Sequence, residues 1–505
     1  MKEKRTYVEL FAGCGGLSLG LEAECWNLEL ANELSPMAAK TFAYNHLGWS
    51  DSLAVEGSPV VKVGDLHSVE VKDWAKKKLV VGDVVTLVDQ LRERPPLLKR
   101  LEGVDLISGG PPCQGFSLAG KRVERDEKNR LPYAFVDLVE LVQPRIVVLE
   151  NVEGITRAFK NDGGSKPPWL EIAKAFAQVG YAPICFLLNA KFFGVPQSRL
   201  RFVMIGVRQD QEEQIMIKLE AGSTESRRVY SMAFDFVRDI NVPIEIVTMA
   251  GEVNELERRF CDANLFPKVN SCLVTVKEAI DDLKGNGVFD KGGVTPHLTK
   301  NLSSYVVGLN STFRDVLHAP LERVSGMRNH ELRKHKSHIR LRFRLSQIVA
   351  LEGVDKQKEL ASVISGRTAP SEELLSLLWS GLSCSKELVQ KELDIRSPEE
   401  LGLYLPRIRS KKQIQRPLSA GRPAPAQLTI PDDLCHYDST EPRVLTVREM
   451  ARIQSFPDGF IFRAKVTTGG ENRKKEVPQY TQVGNAVPPL LGRAIGSLAH
   501  RLLDS

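Results

Sequence analysis

Strand-like and helix-like segments alternate through the first 207 residues, and that rhythm restricts the fold more than any other feature of the chain. Apolar runs at 6–11, 28–33, 104–108, 145–151, 182–189 and 201–207 read as buried strands. Helical patterns lie between them. One opens with Ser35-Pro36, a capping residue followed by proline at the first helical position, and another, at 135–142, carries an apolar stripe. This order predicts an α/β fold with a parallel sheet and crossover helices. Residues 66–103 are less regular, with charge at Lys76-Lys77-Lys78 and through 92–100, and read as a surface insertion. The alternation stops at 208. Residues 208–440 are expected to form a smaller domain of mixed structure. From Leu445 a helical pattern resumes, so 441–505 is expected to complete the 1–207 core.

A chain of 505 residues, 42% hydrophobic and 26% charged, has enough apolar surface for a large core and more than one domain. The start, Met1-Lys2-Glu3-Lys4-Arg5, runs into the first strand without the apolar stretch of a signal peptide, and no long uncharged run is suited to a membrane. The eight cysteines are scattered, with no paired spacing. Neither a disulfide framework nor a metal site is expected, and a cytoplasmic setting is. The net charge of +6 permits a nucleic-acid partner without requiring one.

Two loops carry chemistry. FAGCGGLSLG, at 11–20, follows the first strand and opens a helix. Its glycines allow a sharp turn and close approach to a ligand, but the spacing alone is weak evidence for a nucleotide-like cofactor. Glu33 strengthens it, because an acid about 20 residues on is placed to bind ribose hydroxyls. Asp65, after Val63-Gly64, is either a second cofactor acid or a helix cap. The other loop is GGPPCQGFS, 109–117. It holds Cys113 on a proline-stiffened turn at a strand's C-terminal end, the edge where ligands of such sheets bind. On its own, a lone cysteine there reads more readily as a small buried residue than as a nucleophile.

Several further segments then fall into one order. FAGCGG at 11–16, PPCQGFS at 111–117, Glu150-Asn151-Val152, Gln197-Ser198-Arg199-Leu200-Arg201, LTVREMARIQSFPDGF at 445–460 and QVGNAV at 482–487 together resemble the DNA (cytosine-5) methyltransferases of bacterial type. The resemblance covers about 1–207 and 440–505. It implies a Rossmann-like core for S-adenosylmethionine, with 208–440 as the target recognition domain. By the same resemblance, Phe11, Ala12, Gly13, Gly15, Gly16, Leu17, Glu33, Leu34, Asp65, Leu66, Pro111, Asn485 and Val487 would line the cofactor. Cys113 would be the thiolate that adds to cytosine C6, and Glu150 would hold the ring at N3 and the exocyclic amine. Arg201 would contact the base carbonyl, Arg199 would order the site, and Asn151 would brace the cysteine loop.

Duplex DNA is the expected partner, the enzyme acting as a monomer beside a separate restriction endonuclease or alone. Gln114 and Ser117, with Lys121 and Arg122 in the charged loop that follows, are candidate DNA contacts. The densest basic stretch, 328–344, holds seven Lys/Arg against one Glu. Within it, Arg340, Arg342 and Arg344 alternate with apolar residues. As a strand they would present an arginine face to phosphates or guanines.

Other readings stay open. A nicotinamide oxidoreductase accounts for the glycine loop but not for PPCQ or the paired arginines. A tRNA cytosine methyltransferase of the same family would be shorter in the middle. A silent DNA-binding protein would have no need of Cys113, Glu150 and Arg201.

Overall fold

The computed structural model describes residues 5–49, 57–112, 130–158, 167–220, 224–249, 251, 270, 272–285, 287, 302–318, 326–408, 416–427, 429 and 434–504. Its first ten strands are β1 (Thr6–Leu10), β2 (Asn27–Glu33), β3 (Val60–Lys62), β4 (Leu79–Val81), β5 (Leu106–Gly109), β6 (Ile146–Val152), β7 (Tyr181–Asn189), β8 (Gln197–Ser198), β9 (Leu200–Arg208) and β10 (Ile246–Met249). All except β8 join one sheet in the order β10-β7-β9-β6-β5-β1-β2-β4-β3. The expected parallel sheet is therefore present with one exception: β9 runs antiparallel between β6 and β7. The chain winds outward from β1 and returns to β5 on its other side. This reversal opens a crevice at the C-terminal ends of the central strands.

Alternation along each strand divides the core into two layers. Tyr7, Ile146, Val148, Ile184 and Val203 pack on one face, under the helices Gly16–Ala23, Thr224–Arg238 and Pro489–Leu503. Val8, Leu10, Ile107, Val147 and Leu149 pack on the other, under the helices Val84–Glu93, Leu131–Val142 and Pro168–Gln178.

The first and last helices meet backbone to backbone. A Cβ on Gly20 would stand 2.4 Å from both the Pro489 carbonyl oxygen and the Arg493 amide nitrogen, and one on Gly16 would stand 2.3 Å from the Val487 carbonyl oxygen. Glycine is required at both positions by this approach. The LSLG spacing therefore serves helix packing as much as any ligand.

Three expectations about domain limits need correction. Residues 66–103 are not a surface insertion. β4 is hydrogen-bonded between β2 and β3, and Leu87, Leu91, Leu97 and Leu101 are buried in the sheet's core. Of the charges that suggested solvent, Lys76 and Arg92 are exposed, whereas Arg94 holds the Leu66 and Val69 carbonyls and Arg100 the Trp74, Lys77 and Glu29 carbonyls. Nor does the sheet end at 207, since helix Thr224–Arg238 and β10 extend it. Segments 276–283 and 304–313 share a core with the C-terminal region through Ile280, Phe313, Met450, Phe456 and Phe460. Arg452 fastens them electrostatically, pairing with Asp282 at 2.6 Å and Asp458 at 2.8 Å. Residues 341–408, largely helical, pack around a core of their own.

Gly20→Ala is expected to force the two helices apart and cost about 1–3 kcal/mol, the range for overfilling a packed contact. Gly308→Ala, in helix Ser304–Thr312 with open space around it, is expected to stabilise by about 0.5–1 kcal/mol. Urea unfolding of the two variants beside the wild type checks both.

Candidate active site

The crevice is built from two groups of residues. On the β1–β2 side, the glycine loop turns through left-handed conformations at Phe11 (φ 55°), Gly13 (φ 58°) and Gly15 (φ 96°). Glu33 ends β2, and its two carboxylate oxygens accept from the Gly13 amide at 2.8 Å and the Ser35 amide at 2.7 Å. The acid thus fixes the loop while each oxygen retains a further lone pair for a ligand. Burial pushes its carboxyl above the ordinary range, and these two amides oppose that. Leu34 stands exposed beside it, and Ala12 is buried with its amide on the Asn32 carbonyl. Gly16 lies against Val487, which is buried, while Asn485 is exposed at the end of helix Gln479–Asn485. Leu17 differs from expectation. Its side chain is buried in the core with the last helix rather than turned to the crevice.

Asp65 and Leu66 also differ. Asp65 sits exposed in a short 3-10 helix (Val63–Ser68) after β3, at the sheet's edge, and its side chain caps nothing; Leu66 is buried in the core. The strand beside β2 is β4, so the acid next to Glu33 is Asp83. The Gly82 amide donates to the Glu33 carbonyl at 3.0 Å. Asp83 Oδ2 caps the following helix by accepting from the Thr86 amide at 2.9 Å. Sequence reading missed this residue. Its signal was present, since Val81-Gly82-Asp83 repeats Val63-Gly64-Asp65.

On the β5–β6 side, Glu150 lies near the end of β6 and is 8% exposed. Arg201, at the start of the antiparallel β9, pairs with it at 2.8 Å. The reversal of β9 is what brings this arginine to the same sheet end as the carboxylate. Burial raises the Glu150 carboxyl, and the charges of Arg201 and Arg199 oppose the rise. Arg199 is buried and spans three chain segments, donating to the Gly484 carbonyl at 2.7 Å, the Gln427 carbonyl at 3.2 Å and Gln197 Oε1 at 3.4 Å. Asn151 Nδ2 donates to the Pro111 carbonyl at 3.2 Å, the bracing expected of it. Gly110 is pressed against Glu150, whose Oε2 would lie 3.0 Å from an added Cβ. The chain therefore leaves β5 at Gly110 directly beside the carboxylate. Cys113, Gln114, Ser117, Lys121 and Arg122 lie outside the described residues.

The family model for C-5 cytosine-specific DNA methylase matches residues 5–500. The chain belongs to that family. The methylase is a DNA (cytosine-5)-methyltransferase, and two curated type II methyltransferases resemble it over nearly all of its length. It is 28% identical to the type II methyltransferase M.DdeI of Desulfomicrobium norvegicum, over 97% of this chain and 86% of that one. It is 26% identical to M.XorII of Xanthomonas oryzae pv. oryzae, over 97% and 83%. A crystal structure of a putative DNA modification methyltransferase encoded within an E. coli prophage aligns over 99% of this chain and all of that one. Its TM-score is 0.53 at 19% identity, which supports the shared fold.

The arginine strand expected at 340–344 is absent. These residues lie in helix Ser337–Glu352. Arg340 pairs with Glu392 at 2.9 Å. Arg342 is buried and reaches the Ile408 carbonyl, and Arg344 donates to the Gly381 carbonyl at 2.8 Å and to Ser385. Helical spacing turns side chains by about 100° per residue, which leaves Arg340 and Arg344 on one side of the helix but turns Arg342 to the opposite side, so the three share no face. The helical body uses Arg342 and Arg344 for its own packing, which removes the basis for assigning them to DNA. Among the described residues no helix is long and apolar enough to cross a membrane, and no cluster of three or more His, Cys, Asp or Glu could hold a metal ion.

Behind the glycine loop, Glu9 of β1 is buried with its carboxyl bonded to Ser18. Burial pushes it up to about 8, and the Glu22 and Glu33 charges add to the rise. A carboxyl raised on folding stabilises fully below its unfolded value and loses that contribution as pH rises toward 8. The wild type is therefore expected to lose melting temperature between pH 5 and pH 8. Glu9→Gln should lose less over the same interval, measured by thermal unfolding at constant ionic strength.

Proposed function

We propose that this methylase transfers a methyl group from S-adenosylmethionine to C5 of cytosine at a specific site in duplex DNA, after flipping the base out of the helix. The pairing of buried Glu150 with Arg201, beside Gly110 at the end of β5, is the observation that supports the reading most directly. An aromatic ring that must be activated needs a proton donor and a nucleophile, and the buried pair at this sheet end supports the first of these roles for Glu150.

In this mechanism the Cys113 thiolate adds to C6, and the C5=C6 electrons move to C5. Glu150, held protonated by its burial or sharing a proton with N3, offsets the charge that develops on the ring and reads the Watson–Crick edge of cytosine. When bound, S-adenosylmethionine supplies the electrophilic methyl group that C5 takes up. Loss of the C5 proton and expulsion of the Cys113 thiolate then restore the aromatic ring. Arg201 sets the Glu150 carboxylate and contacts the base carbonyl. A free thiol is largely protonated at neutral pH, so the reaction calls for positive charge that favours Cys113 as thiolate, a role for which Arg199 and Arg201 are the candidates.

The cofactor side fits the donor. Glu33 keeps lone pairs for ribose hydroxyls, and the loop from Phe11 to Gly16 approaches with bare backbone. Asp83, one strand over, is placed for the adenine amine in preference to Asp65. Val487 and Asn485 close the pocket from the C-terminal segment. The type II relatives support a role beside a restriction endonuclease, with sequence reading assigned to the region between 250 and 440.

Transfer of labelled methyl to unmethylated duplex DNA, followed by bisulfite sequencing, is expected to show 5-methylcytosine in a fixed context with the wild type and none with Cys113→Ala. Product on tRNA alone, or none from a folded wild type, would sink the reading. Asp83→Ala is expected to raise KM for S-adenosylmethionine about tenfold, the loss of one good polar contact. Asp65→Ala should leave that KM within about twofold, the size of a change of a few tenths of a kcal/mol.

A further inference from the structure

Beneath Arg199 lies a relay of glutamine side chains that the mechanism above does not use. Gln197, in the two-residue strand β8, is fully buried. Its Oε1 accepts from the Gln427 amide at 2.9 Å and from Arg199 Nη1 at 3.4 Å. Its Nε2 donates to Gln454 Oε1 at 3.0 Å and to the Ile453 carbonyl at 3.5 Å. Gln454, also buried, passes the chain on by donating its Nε2 to the Val483 carbonyl at 2.8 Å.

The direction of this relay is fixed at both ends by backbone groups. The Val483 carbonyl can only accept, so Gln454 presents its oxygen to Gln197. The Gln427 amide can only donate, so Gln197 presents its oxygen to Gln427 and Arg199. A flip of either amide would set donor against donor in a dry interior, at the cost of unmade bonds. The relay joins four segments remote in sequence: β8, the limb returning from the middle of the chain at Gln427, the end of helix Val447–Ile453, and helix Gln479–Asn485. That limb is already docked here, since Ala424–Pro425 pairs with Gln197–Ser198. Arg199 gathers the same parts, holding the Gln427 and Gly484 carbonyls.

We infer that Gln197, oriented by Gln454, is a positioning residue for methyl transfer: it holds the Arg199 guanidinium and the returning limb at Gln427 in one register, so that the middle region is anchored on the arginine beside Glu150. The inference rests on the reading given under Proposed function. It acts on the chemistry through Arg199, whose charge opposes the rise of the Glu150 carboxyl. If Arg199 is released, Glu150 rises further.

The test uses the full chain and duplex DNA carrying the site mapped with the wild type, for Gln197→Met, Gln454→Met and the double variant. Each single change is expected to lower kcat about 10- to 100-fold, as misplacement near reacting groups does, with KM for S-adenosylmethionine within about twofold. The double variant should be no slower than the slower single, because both act through one relay. The limb of the pH–rate profile that belongs to Glu150 should move to higher pH in all three. Gln454 bonds to neither Arg199 nor Glu150, so the same movement in Gln454→Met identifies transmission through Gln197, and it remains decisive if Gln197→Met does not fold. Unchanged kcat would overturn the inference. So would losses that follow melting temperature, add in the double variant and leave the pH limb in place. A wild type that makes no 5-methylcytosine would overturn the functional reading itself, and this inference with it.

Discussion

The last helix lies directly on the first because Gly16 and Gly20 present bare backbone to it, and the rest of the architecture depends on that contact. The approach leaves no room for a Cβ at either position. It brings residues near 490 against residues near 20, closes one face of the sheet with Leu491, Ile495 and Leu498, and sets Val487 beside the turn that opens the first helix. One steric condition therefore completes the core and one wall of the crevice together. Such a contact between chain ends closes a very long loop, which is slow to form but costs only slightly more entropy than a shorter one.

Buried charge fixes what packing alone would leave loose. Arg443 grips Glu449 with both terminal nitrogens at 2.8 Å, and the fully buried Arg452 pairs with Asp282 and Asp458. These groups gain little net stability over apolar side chains, but removing one partner would strand the other, at about 3–5 kcal/mol. Their geometry is directional, so they fix how segments 276–283 and 304–313 sit on the C-terminal region. The arginines at 199 and 201 extend the same principle to the crevice. One gathers backbone carbonyls from distant segments; the other faces a carboxylate.

Much of this was legible in the sequence. The strand runs, the glycine loop, Glu33 and the family motifs each depend on neighbours within a few residues, and the structure brings Glu33 to the glycine loop and Glu150 to Arg201. What misled was local resemblance without strand order. Two Val-Gly-Asp segments follow two strands, and only the pairing of β4 with β2 places Asp83, not Asp65, beside Glu33. The alternation of Arg340, Arg342 and Arg344 fits a strand, yet the segment is helical and two of the three arginines are buried. Leu17 belongs to a cofactor motif and packs into the core. The charged stretch near 66–103 looked like surface because its apolar face was not weighed against its charges.

By itself the sequence determined the class of fold and the chemical inventory: alternating elements, a glycine turn after the first strand, an acid after the second, and a carboxylate and two arginines at later strand ends. These follow from hydrophobic period, turn chemistry and the order of residue types, all carried by short stretches of chain. The tertiary structure decided which of two like acids adjoins Glu33, that β9 reverses so Arg201 faces Glu150, and that Arg199 and Gln197 join limbs more than two hundred residues apart. Strand order, strand direction and buried hydrogen-bond partners are set by closure of the whole core. Residues remote in sequence compete for the same space, and no local pattern records which of them wins.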